Sequence, residues 1–268
     1  MALFIQESIA GQTSSTVNYN LLHNAAVNPE KTLNVQLTQS SKMGVSPGNL
    51  SFQLNSIKDV DGGSYSDVIK VEAGDSHTCA ITSSGTLKCW GSNGFGQLGI
   101  GVGKTQSTPV TIDVGATYIQ ITSGTAHTCG ITATGALKCW GANSSNQLGD
   151  GTTTNRTTPT VIDSGTSYSQ IAIGNGHTCG ITSTGVLKCW GNNTNGRLGD
   201  NSTTTRAIPT VIDAGTTYSQ ITLGYAYSCG ITNAGVLKCW GWNEYGEIGD
   251  GAYSPFWIPH PILGVRSP

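Results

Sequence analysis

The sequence predicts an all-β protein, a β-propeller of four four-stranded blades that follows a small N-terminal β module. Two observations predict this fold. The stretch His177–Gly191, HTCGITSTGVLKCWG, recurs at intervals of fifty residues, and a fixed period of this size indicates a repeat architecture. Each period contains four segments with strand character, which is the number of strands in one propeller blade. The other copies are His77–Gly91, His127–Gly141 and Tyr227–Gly241.

Residues 1–57 precede the repeats and do not share their pattern. Apolar and polar residues alternate in Thr16–Leu22, Thr32–Thr38 and Leu50–Leu54, and turns rich in Asn, Pro and Ser separate these segments, so three short strands are expected. About fifty residues of this kind bury little apolar surface, and we interpret them as a stem or edge module. The other expected boundaries are 58–264 for the propeller and 265–268 for a tail.

The core of each repeat is a β-hairpin with a short loop that contains glycine, which supplies the positive φ that such a turn requires. If the loop has three residues, Cys79 faces Cys89 and Ile81 faces Leu87. Side chains alternate along a strand, so these four share one face of the hairpin and Trp90 takes the other. Both faces then carry bulky apolar groups, which predicts a sheet packed between neighbouring sheets.

The eight cysteines occur as one pair in every repeat. Two interpretations compete, a disulfide within each hairpin and a metal site that adds the histidine two residues upstream, such as His77. Tyr227 replaces this histidine in the fourth repeat and no C-x-x-C pair is present, so the pattern favours disulfides and an oxidising compartment. The expected pairs are Cys79–Cys89, Cys129–Cys139, Cys179–Cys189 and Cys229–Cys239.

A long polar loop follows each Trp-Gly pair and leads to a proline and a short apolar strand, as in Pro209–Asp213. The fourth repeat ends with the matching segment Pro259–Ile262, whereas no clear segment of this kind precedes Val68. The C-terminal end thus has an unpaired strand, and the first blade lacks one. If the two pair, residues near Pro259–Leu263 close the ring and remove exposed sheet edges, so a closed ring is predicted. The alternative is an open arc that other protein completes.

These residues closely resemble the repeat of the regulator of chromosome condensation family, whose pattern runs roughly H-x-x-x-L-T-x-x-G-x-x-x-x-W-G-x-N-x-x-G-Q-L-G-x-G. In the first copy the match includes His77, Gly85 and Trp90–Gly99, and it recurs four times over about 68–262. The resemblance implies a β-propeller. Familiar members have about seven blades where this chain has four repeats. The paired cysteines are typical of bacterial surface and secreted forms, not of the nuclear exchange factor.

Composition and charge exclude several classes of partner. Charged residues make up 10% of the chain and 37 residues are glycine, which is typical of a turn-rich, secreted all-β protein. A formal net charge of −2 provides no basic field for nucleic acid or an anionic membrane, and no apolar run is long enough to span a bilayer. The N-terminal segment lacks the features of a secretory signal. Disulfides without one suggest a piece of a longer exported chain, and a cytosolic protein with free thiols is the alternative.

No constellation of residues points to catalysis, and we expect a protein that is not an enzyme and that has no cofactor and no metal. The histidines and lysines of the hairpin recur at fixed positions, which is the behaviour of a scaffold. Asp150, Asp200 and Asp250 are interpreted as turn formers, because calcium would need converging carboxylates. The recurring residues are His77, His127, His177, Lys88, Lys138, Lys188 and Lys238.

Positions that differ between repeats are the candidates for a binding site, because a scaffold repeats and a site usually does not. The fourth repeat and the segment after it have aromatic residues where earlier copies have small or polar ones. Clustered exposed aromatics favour binding of a sugar ring or a protein surface. Packing against the N-terminal module or the closing seam is the alternative. The candidate ligand-binding residues are Tyr225, Trp242, Tyr245, Tyr253, Phe256 and Trp257, and Tyr227 belongs to the same set.

The expected function is a recognition or adhesion module of a longer exported protein, with an extracellular, cell-surface or periplasmic location. Its expected partner is a cell-surface glycan or a protein, bound through propeller loops. The alternative is a regulatory propeller, either an exchange factor for a small GTPase, as the resemblance implies, or an inhibitor of a secreted enzyme. A homo-oligomer, such as a fibre-tip trimer assembled through residues 1–57, is a further expectation.

Overall fold

The computed structural model describes residues 67–262 and three short strands that precede them. The chain divides into two compact units, residues 1–68 and residues 69–268. In the part of the chain that the structure describes, no helix has the length and the apolar composition needed to cross a membrane.

The first unit contains one antiparallel sheet with the strand order β1-β2-β3. Its strands are β1 (Val17–Tyr19), β2 (Leu33–Val35) and β3 (Ile57–Lys58). β1 and β2 lie inside two of the three segments that the sequence predicts as strands. The third expected strand, Leu50–Leu54, and the tail at 265–268 lie outside the described residues.

The second unit consists of four blades of four antiparallel strands each, as the sequence predicts. The first blade contains β4 (Val68–Ala73), β5 (His77–Thr82), β6 (Leu87–Gly91) and β7 (Gln106–Ile112). The second contains β8 (Tyr118–Ser123), β9 (His127–Thr132), β10 (Ala136–Gly141) and the beginning of β11 (Arg156–Ile173). The third contains the end of β11, β12 (His177–Thr182), β13 (Leu187–Gly191) and β14 (Arg206–Val211). The fourth contains β15 (Tyr218–Leu223), β16 (Tyr227–Thr232), β17 (Leu237–Gly241) and β18 (Phe256–Pro261).

The second and third blades share the long strand β11. Its first part pairs with β10 and its second part pairs with β12, so strands β8 to β14 form one seven-stranded sheet. Between the other blades a turn interrupts the chain, closed by hydrogen bonds from the backbone N of Ala116 to the carbonyl of Asp113 and from Thr216 to Asp213. A short 3-10 turn, Thr194–Gly196, lies in the loop of the third repeat.

The hairpins have the register that the sequence predicts. In the first blade Cys79 lies opposite Cys89 and Ile81 lies opposite Leu87, and the other three hairpins repeat this register. All eight cysteines form the four expected disulfides. The disulfide interpretation is therefore confirmed, and the metal interpretation of the cysteines is wrong because their sulfurs are bonded to each other.

The hydrophobic core lies between blades, not within them. Three clusters of buried side chains occur in 67–262, one at each contact between consecutive blades. In each cluster, one blade contributes its disulfide with the facing Ile and Leu, and the next blade contributes a tyrosine, an isoleucine and a tryptophan. The first cluster consists of Cys79, Ile81, Leu87, Cys89, Leu98, Ile112, Tyr118, Ile121 and Trp140. The second and third blades have a neighbouring blade on each side, so both faces of their sheets are buried, as expected.

The predicted closing strand is wrong. The segment Phe256–Pro261 is β18, which pairs with β17 and forms the edge of the fourth blade, and no described pairing joins it to β4. The physical reason is that the first blade already has its own first strand, β4, so it has no vacancy for a strand from the C-terminal end. Leu263, the last residue of the predicted fastening segment, lies outside the described residues.

Removing one disulfide should destabilise the protein measurably. The double substitution Cys129→Ala and Cys139→Ala is expected to lower the free energy of unfolding by about 2–3 kcal/mol, because the cross-link restricts the unfolded chain. Urea unfolding followed by tryptophan fluorescence measures this change. As a control, thiol titration of the untreated wild type should detect no reactive thiol, and titration after reduction in denaturant should detect all eight. Unchanged stability, or thiols that react in the native protein, would contradict this structural role.

Candidate functional site

Each long loop after a Trp-Gly pair is held by one buried asparagine. In the fourth repeat, Nδ2 of Asn243 donates hydrogen bonds to the carbonyls of Ala252 and Ser254, at 3.1 and 3.0 Å. Its Oδ1 accepts a hydrogen bond from the backbone N of Ile248 at 2.9 Å. Corresponding bonds are made by Asn93, Asn143 and Asn193. A buried amide that uses both its donor and its acceptor fixes the loop backbone, so the loop presents its other side chains from a rigid frame.

The acidic residues of these loops form turns, as predicted. Oδ1 of Asp150 accepts a hydrogen bond from the backbone N of Thr152 at 3.0 Å, and Asp200 and Asp250 bond the backbone two residues ahead in the same way. Arg156 donates to the second carboxylate oxygen of Asp150. Burial by itself would raise the pKa of Asp150, but the hydrogen bonds from Thr152 and Arg156 outweigh it and hold the pKa below its usual value.

The recurring histidines lie in the contacts between blades. Nε2 of His127 is 3.2 Å from Oγ1 of Thr178 in the next blade, and His77 and His177 make the equivalent contacts. Burial lowers the pKa of His77 to about 4 and the pKa values of His127 and His177 to about 3. These side chains are therefore neutral at pH 7 and part of the scaffold.

Lysines of the hairpins tie successive blades together. Nζ of Lys188 donates to Oδ2 of Asp163 at 2.6 Å, and the hydroxyl of Tyr168 donates to the same oxygen at 2.7 Å. Burial and this bond to Asp163 raise the pKa of Tyr168. Burial opposes ionisation of Asp163, but the hydrogen bonds from Lys188 and Tyr168 outweigh it and lower the pKa of the carboxyl. The equivalent groups are Asp113 with Tyr118 and Lys138, and Asp213 with Tyr218 and Lys238.

Four of the candidate aromatics, Tyr225, Tyr227, Trp242 and Tyr245, lie around one pocket of 250 Å³. Tyr225 belongs to the turn between β15 and β16, Tyr227 is the first residue of β16, and the other two belong to the loop after β17. The backbone N of Trp242 donates to the carbonyl of Ala226 at 3.0 Å, which holds the loop against the turn. Gly241 makes this approach possible: its φ is +108°, and a Cβ there would lie 2.7 Å from the same carbonyl oxygen. The other lining residues are Ala226 and Glu247.

The pocket is aromatic and open to solvent. The side chains of Tyr225 and Tyr245 are 67% and 79% exposed, and the rings of Trp242 and Tyr245 have their centroids 6.5 Å apart. Glu247 is the one acidic group among the lining residues, and its Oε2 accepts a hydrogen bond from the backbone N of Tyr245 at 2.9 Å. Such a surface can hold a ring or an apolar side chain by stacking, and phenol hydroxyls and a carboxylate can add hydrogen bonds.

Glu247 is a pocket residue that the sequence analysis did not single out. A signal for it exists, because Gln97, Gln147 and Arg197 occupy the same position in the other repeats, and only the fourth repeat has a carboxylate there. The residue at this position differs between repeats, as expected for a binding site. Because Glu247 is not aromatic, a comparison of aromatic residues alone does not identify it.

Phe256 and Trp257 lie elsewhere, on β18. The carbonyl of Trp257 accepts a hydrogen bond from the backbone N of Asn201 at 2.8 Å, and its ring lies against Gly196. Phe256 stacks on His260 with ring centroids 4.0 Å apart and packs against the third core cluster. These two aromatics therefore belong to the contact between the third and fourth blades, not to the pocket.

Tyr253 lies between these two groups. It is exposed, and its ring is next to Gly246 in the loop that carries Tyr245. The seven candidate aromatics thus form one group of four around the pocket, one pair on the outer strand and one exposed tyrosine beside the loop.

Comparison with protein families identifies the repeats. A model of the "Regulator of chromosome condensation (RCC1) repeat" matches residues 68–97, 118–147, 168–197 and 218–247. A second model with the same description matches residues 84–131 and 135–181. No curated protein matches the chain significantly.

Several solved structures share the fold. Human WBSCR16 has a TM-score of 0.67 and 23% identity, and the match covers 75% of this chain and 54% of that protein. Prp20p from Saccharomyces cerevisiae has a TM-score of 0.67 and 19% identity, with coverage of 88% and 59%. A structure of Kap60 bound to yeast RCC1 (Prp20) matches with the same score and identity and covers 57% of that chain. The chain thus spans little more than half of the length of these proteins.

The buried histidines should make stability depend on pH. They are neutral in the folded protein and bind a proton only after unfolding, so their contribution is fully present above about pH 6.5 and is lost as the pH falls toward their folded pKa values of about 3 to 4. Each histidine should contribute a slope of about 1.4 kcal/mol per pH unit in this range. The carboxyls whose pKa is lowered change the free energy of unfolding only below about pH 4, so their effect can be separated from that of the histidines.

Urea unfolding of the wild type and of His127→Gln, at several pH values between about 4 and 7, measures this effect. As the pH falls, the free energy of unfolding of the variant should decrease less steeply than that of the wild type. The difference in slope should correspond to the uptake of about one proton on unfolding. Equal slopes for both proteins would show that His127 is not held neutral by the fold.

Proposed function

Because the chain belongs to the regulator of chromosome condensation (RCC1) repeat family, we propose that it is a non-enzymatic recognition module of an exported or cell-surface protein. It binds a glycan or a protein through the aromatic pocket of the fourth repeat. The observation that carries this proposal is that Tyr225, Trp242 and Tyr245 meet around one pocket.

The recurrence of the repeat shows which pocket side chains the scaffold requires. Tyr225 and Trp242 occupy positions at which the other repeats have Asp, Thr, Asn, Ser or Ala. Those repeats fold into the same blade without an aromatic side chain there, so folding does not require these two rings. An exposed apolar cluster that folding does not require is a candidate interaction site. Tyrosine and tryptophan also provide large, rigid contact areas at low entropic cost, which is why they dominate binding energy at interfaces.

The disulfides support an oxidising location. Disulfides form and persist in secreted, periplasmic and surface proteins and are rare in the cytosol, where thiols are kept reduced. All eight cysteines of this chain are paired, one pair in each blade. This supports an exported module, and an extracellular or cell-surface location remains part of the proposal.

A regulatory propeller is the second candidate function. Family membership favours it, because yeast Prp20p binds Gsp1p and histones and forms a complex with Kap60. A protein partner is therefore one of the two classes to test. An exchange factor for a cytosolic GTPase would have to act with its cysteines reduced, so activity that survives only without reductant would favour the exported module. The trimer through residues 1–57 also remains a proposal.

Two substitutions in the pocket should each weaken binding. Trp242→Ala and Tyr245→Ala are each expected to weaken binding at least about tenfold, because each removes one stacking surface at the centre of the contact. The measurement is binding of purified protein to a glycan array and to cell-surface extracts, followed by titration of the best ligand.

Phe95→Ala is the matched control, because Phe95 is an exposed aromatic at the same loop position of the first repeat, outside the pocket. It should bind as the wild type does. If all three variants bind like the wild type, the pocket is not the recognition site. If Phe95→Ala loses binding as well, the first repeat participates and the proposed site is wrong.

A further inference from the structure

The same interface occurs three times between consecutive blades, and each copy has an apolar and a polar part. The apolar part is the core cluster, in which the disulfide face of one blade is covered by the inner strand and the tryptophan of the next. In the polar part, the carbonyl of Gln97 accepts hydrogen bonds from Nε1 of Trp140 at 2.9 Å and from Oγ1 of Thr128 at 2.8 Å. The carbonyl of Gln147 accepts hydrogen bonds from Nε1 of Trp190 and Oγ1 of Thr178 in the same way.

Among the residues that the structure describes, none covers the corresponding half of this interface on the fourth blade. Ile231 and Leu237 are only partly buried, whereas the equivalent residues of the other blades are buried. A hollow of 180 Å³ lies against them. A Cβ on Gly99 would lie 2.9 Å from Nε1 of Trp140, but a Cβ on Gly249 would have no neighbour within 4 Å among the residues that the structure describes.

The first blade presents the other half. Val71 is 62% exposed, although Ile121, at the same position of the second blade, is 1% exposed. Trp90 and Thr78 are half-buried, whereas the tryptophans and the threonine or serine at these positions in later blades are buried. The tryptophan and the hydroxyl that both bond a loop carbonyl in the first two internal interfaces therefore have their equivalents, Trp90 and Thr78, at the open end of the first blade. In the third interface Ser228 bonds the carbonyl of Arg197, whereas Nε1 of Trp240 has no hydrogen-bond partner among the described residues.

We propose that the first blade of a second copy of this chain docks on the open face of the fourth blade, in the register of the internal interfaces. Val71 of one copy would cover Ile231 and Leu237 of the other. Trp90 would lie over the bare Gly249, and Trp90 and Thr78 would donate to the backbone carbonyl of residue 247. The two faces are matched because each is the unpaired half of a contact that the chain makes three times.

This contact joins unlike surfaces, so it is heterologous. Heterologous contacts close into rings when the rotation allows it. Two copies would together contribute eight blades, which is within the range of about four to eight that propellers have. Val68 stands where the later blades have a tyrosine, which makes the terminal contact smaller than the internal ones. The association should therefore depend on protein concentration.

The proposed function and this contact are tested by different residues. The pocket borders the open face through Tyr227 and Glu247. Val71 lies in the first blade, so a substitution there leaves the pocket residues of the same chain intact. Loss of self-association without loss of ligand binding would separate the two proposals.

The first test is the molar mass of the full chain by light scattering over a range of concentrations. The wild type should approach the mass of two chains, and Val71→Arg should have the mass of one chain at every concentration. Ile69→Arg is the matched control, because Ile69 is on the same strand and is 60% exposed, and Ile119, its equivalent in an internal interface, is also exposed. It should behave like the wild type.

The second test is complementation. Leu237→Lys removes the opposite half of the contact and should also be monomeric, with its folding checked by circular dichroism. An equimolar mixture of Val71→Arg and Leu237→Lys should form dimers, because the intact fourth blade of the first variant can bind the intact first blade of the second. A monomeric wild type, an oligomer that Val71→Arg does not disrupt, equal loss in Ile69→Arg, or a mixture that stays monomeric would each overturn the proposal.

Discussion

The contact between consecutive blades is the interaction on which the rest of this structure depends. A hairpin with a disulfide, an isoleucine and a leucine on one face cannot bury them alone. They are buried only when the tyrosine, isoleucine and tryptophan of the next blade cover them. Stability therefore accumulates from neighbour to neighbour, as in other repeat proteins. The disulfides add to this by holding each hairpin in the one register that presents a complete face.

The same contact determines where the chain can vary. Residues of the interface recur every fifty positions because each makes the same packing contact between one blade and the next. The loops after the Trp-Gly pairs are held by their anchoring asparagine, such as Asn243, by a glycine that lets the chain approach the preceding turn, and by a buried apolar residue such as Leu98. Their exposed side chains are not required by the fold. The aromatic pocket arises in such a loop, and it arises in the fourth repeat, whose outer face has no following blade in the described part of the chain.

The sequence predicts the hairpins well and the ends of the propeller poorly, for physical reasons. The pairing of Cys79 with Cys89 follows from strand alternation and a short loop, which are local properties. A period of fifty residues, in contrast, does not show where a repeat begins. A prediction from the period alone therefore assigns the segment after the fourth repeat to the wrong blade, although β4 supplies the first blade with its own strand.

The candidate site was predicted only in part. The aromatic residues of the fourth repeat stand out by comparison with the other repeats, but residue type does not show direction. Trp257 and Phe256 lie on a strand and pack against the third blade, whereas Trp242 and Tyr245 lie on a loop that meets the turn at Tyr225. Which of them meet depends on hydrogen bonds between distant segments, such as that of Trp242 with Ala226, and these bonds have no local sequence signal.

The placement of the disulfides has a mechanical consequence. Every cross-link lies inside a hairpin and none joins two blades. A tensile load applied between the two ends of the blade region would thus meet only non-covalent resistance at the seams, where blades could peel away one at a time. Within each detached blade, the chain between the two bonded cysteines could not extend, so every rupture would release less than the full contour length of a repeat.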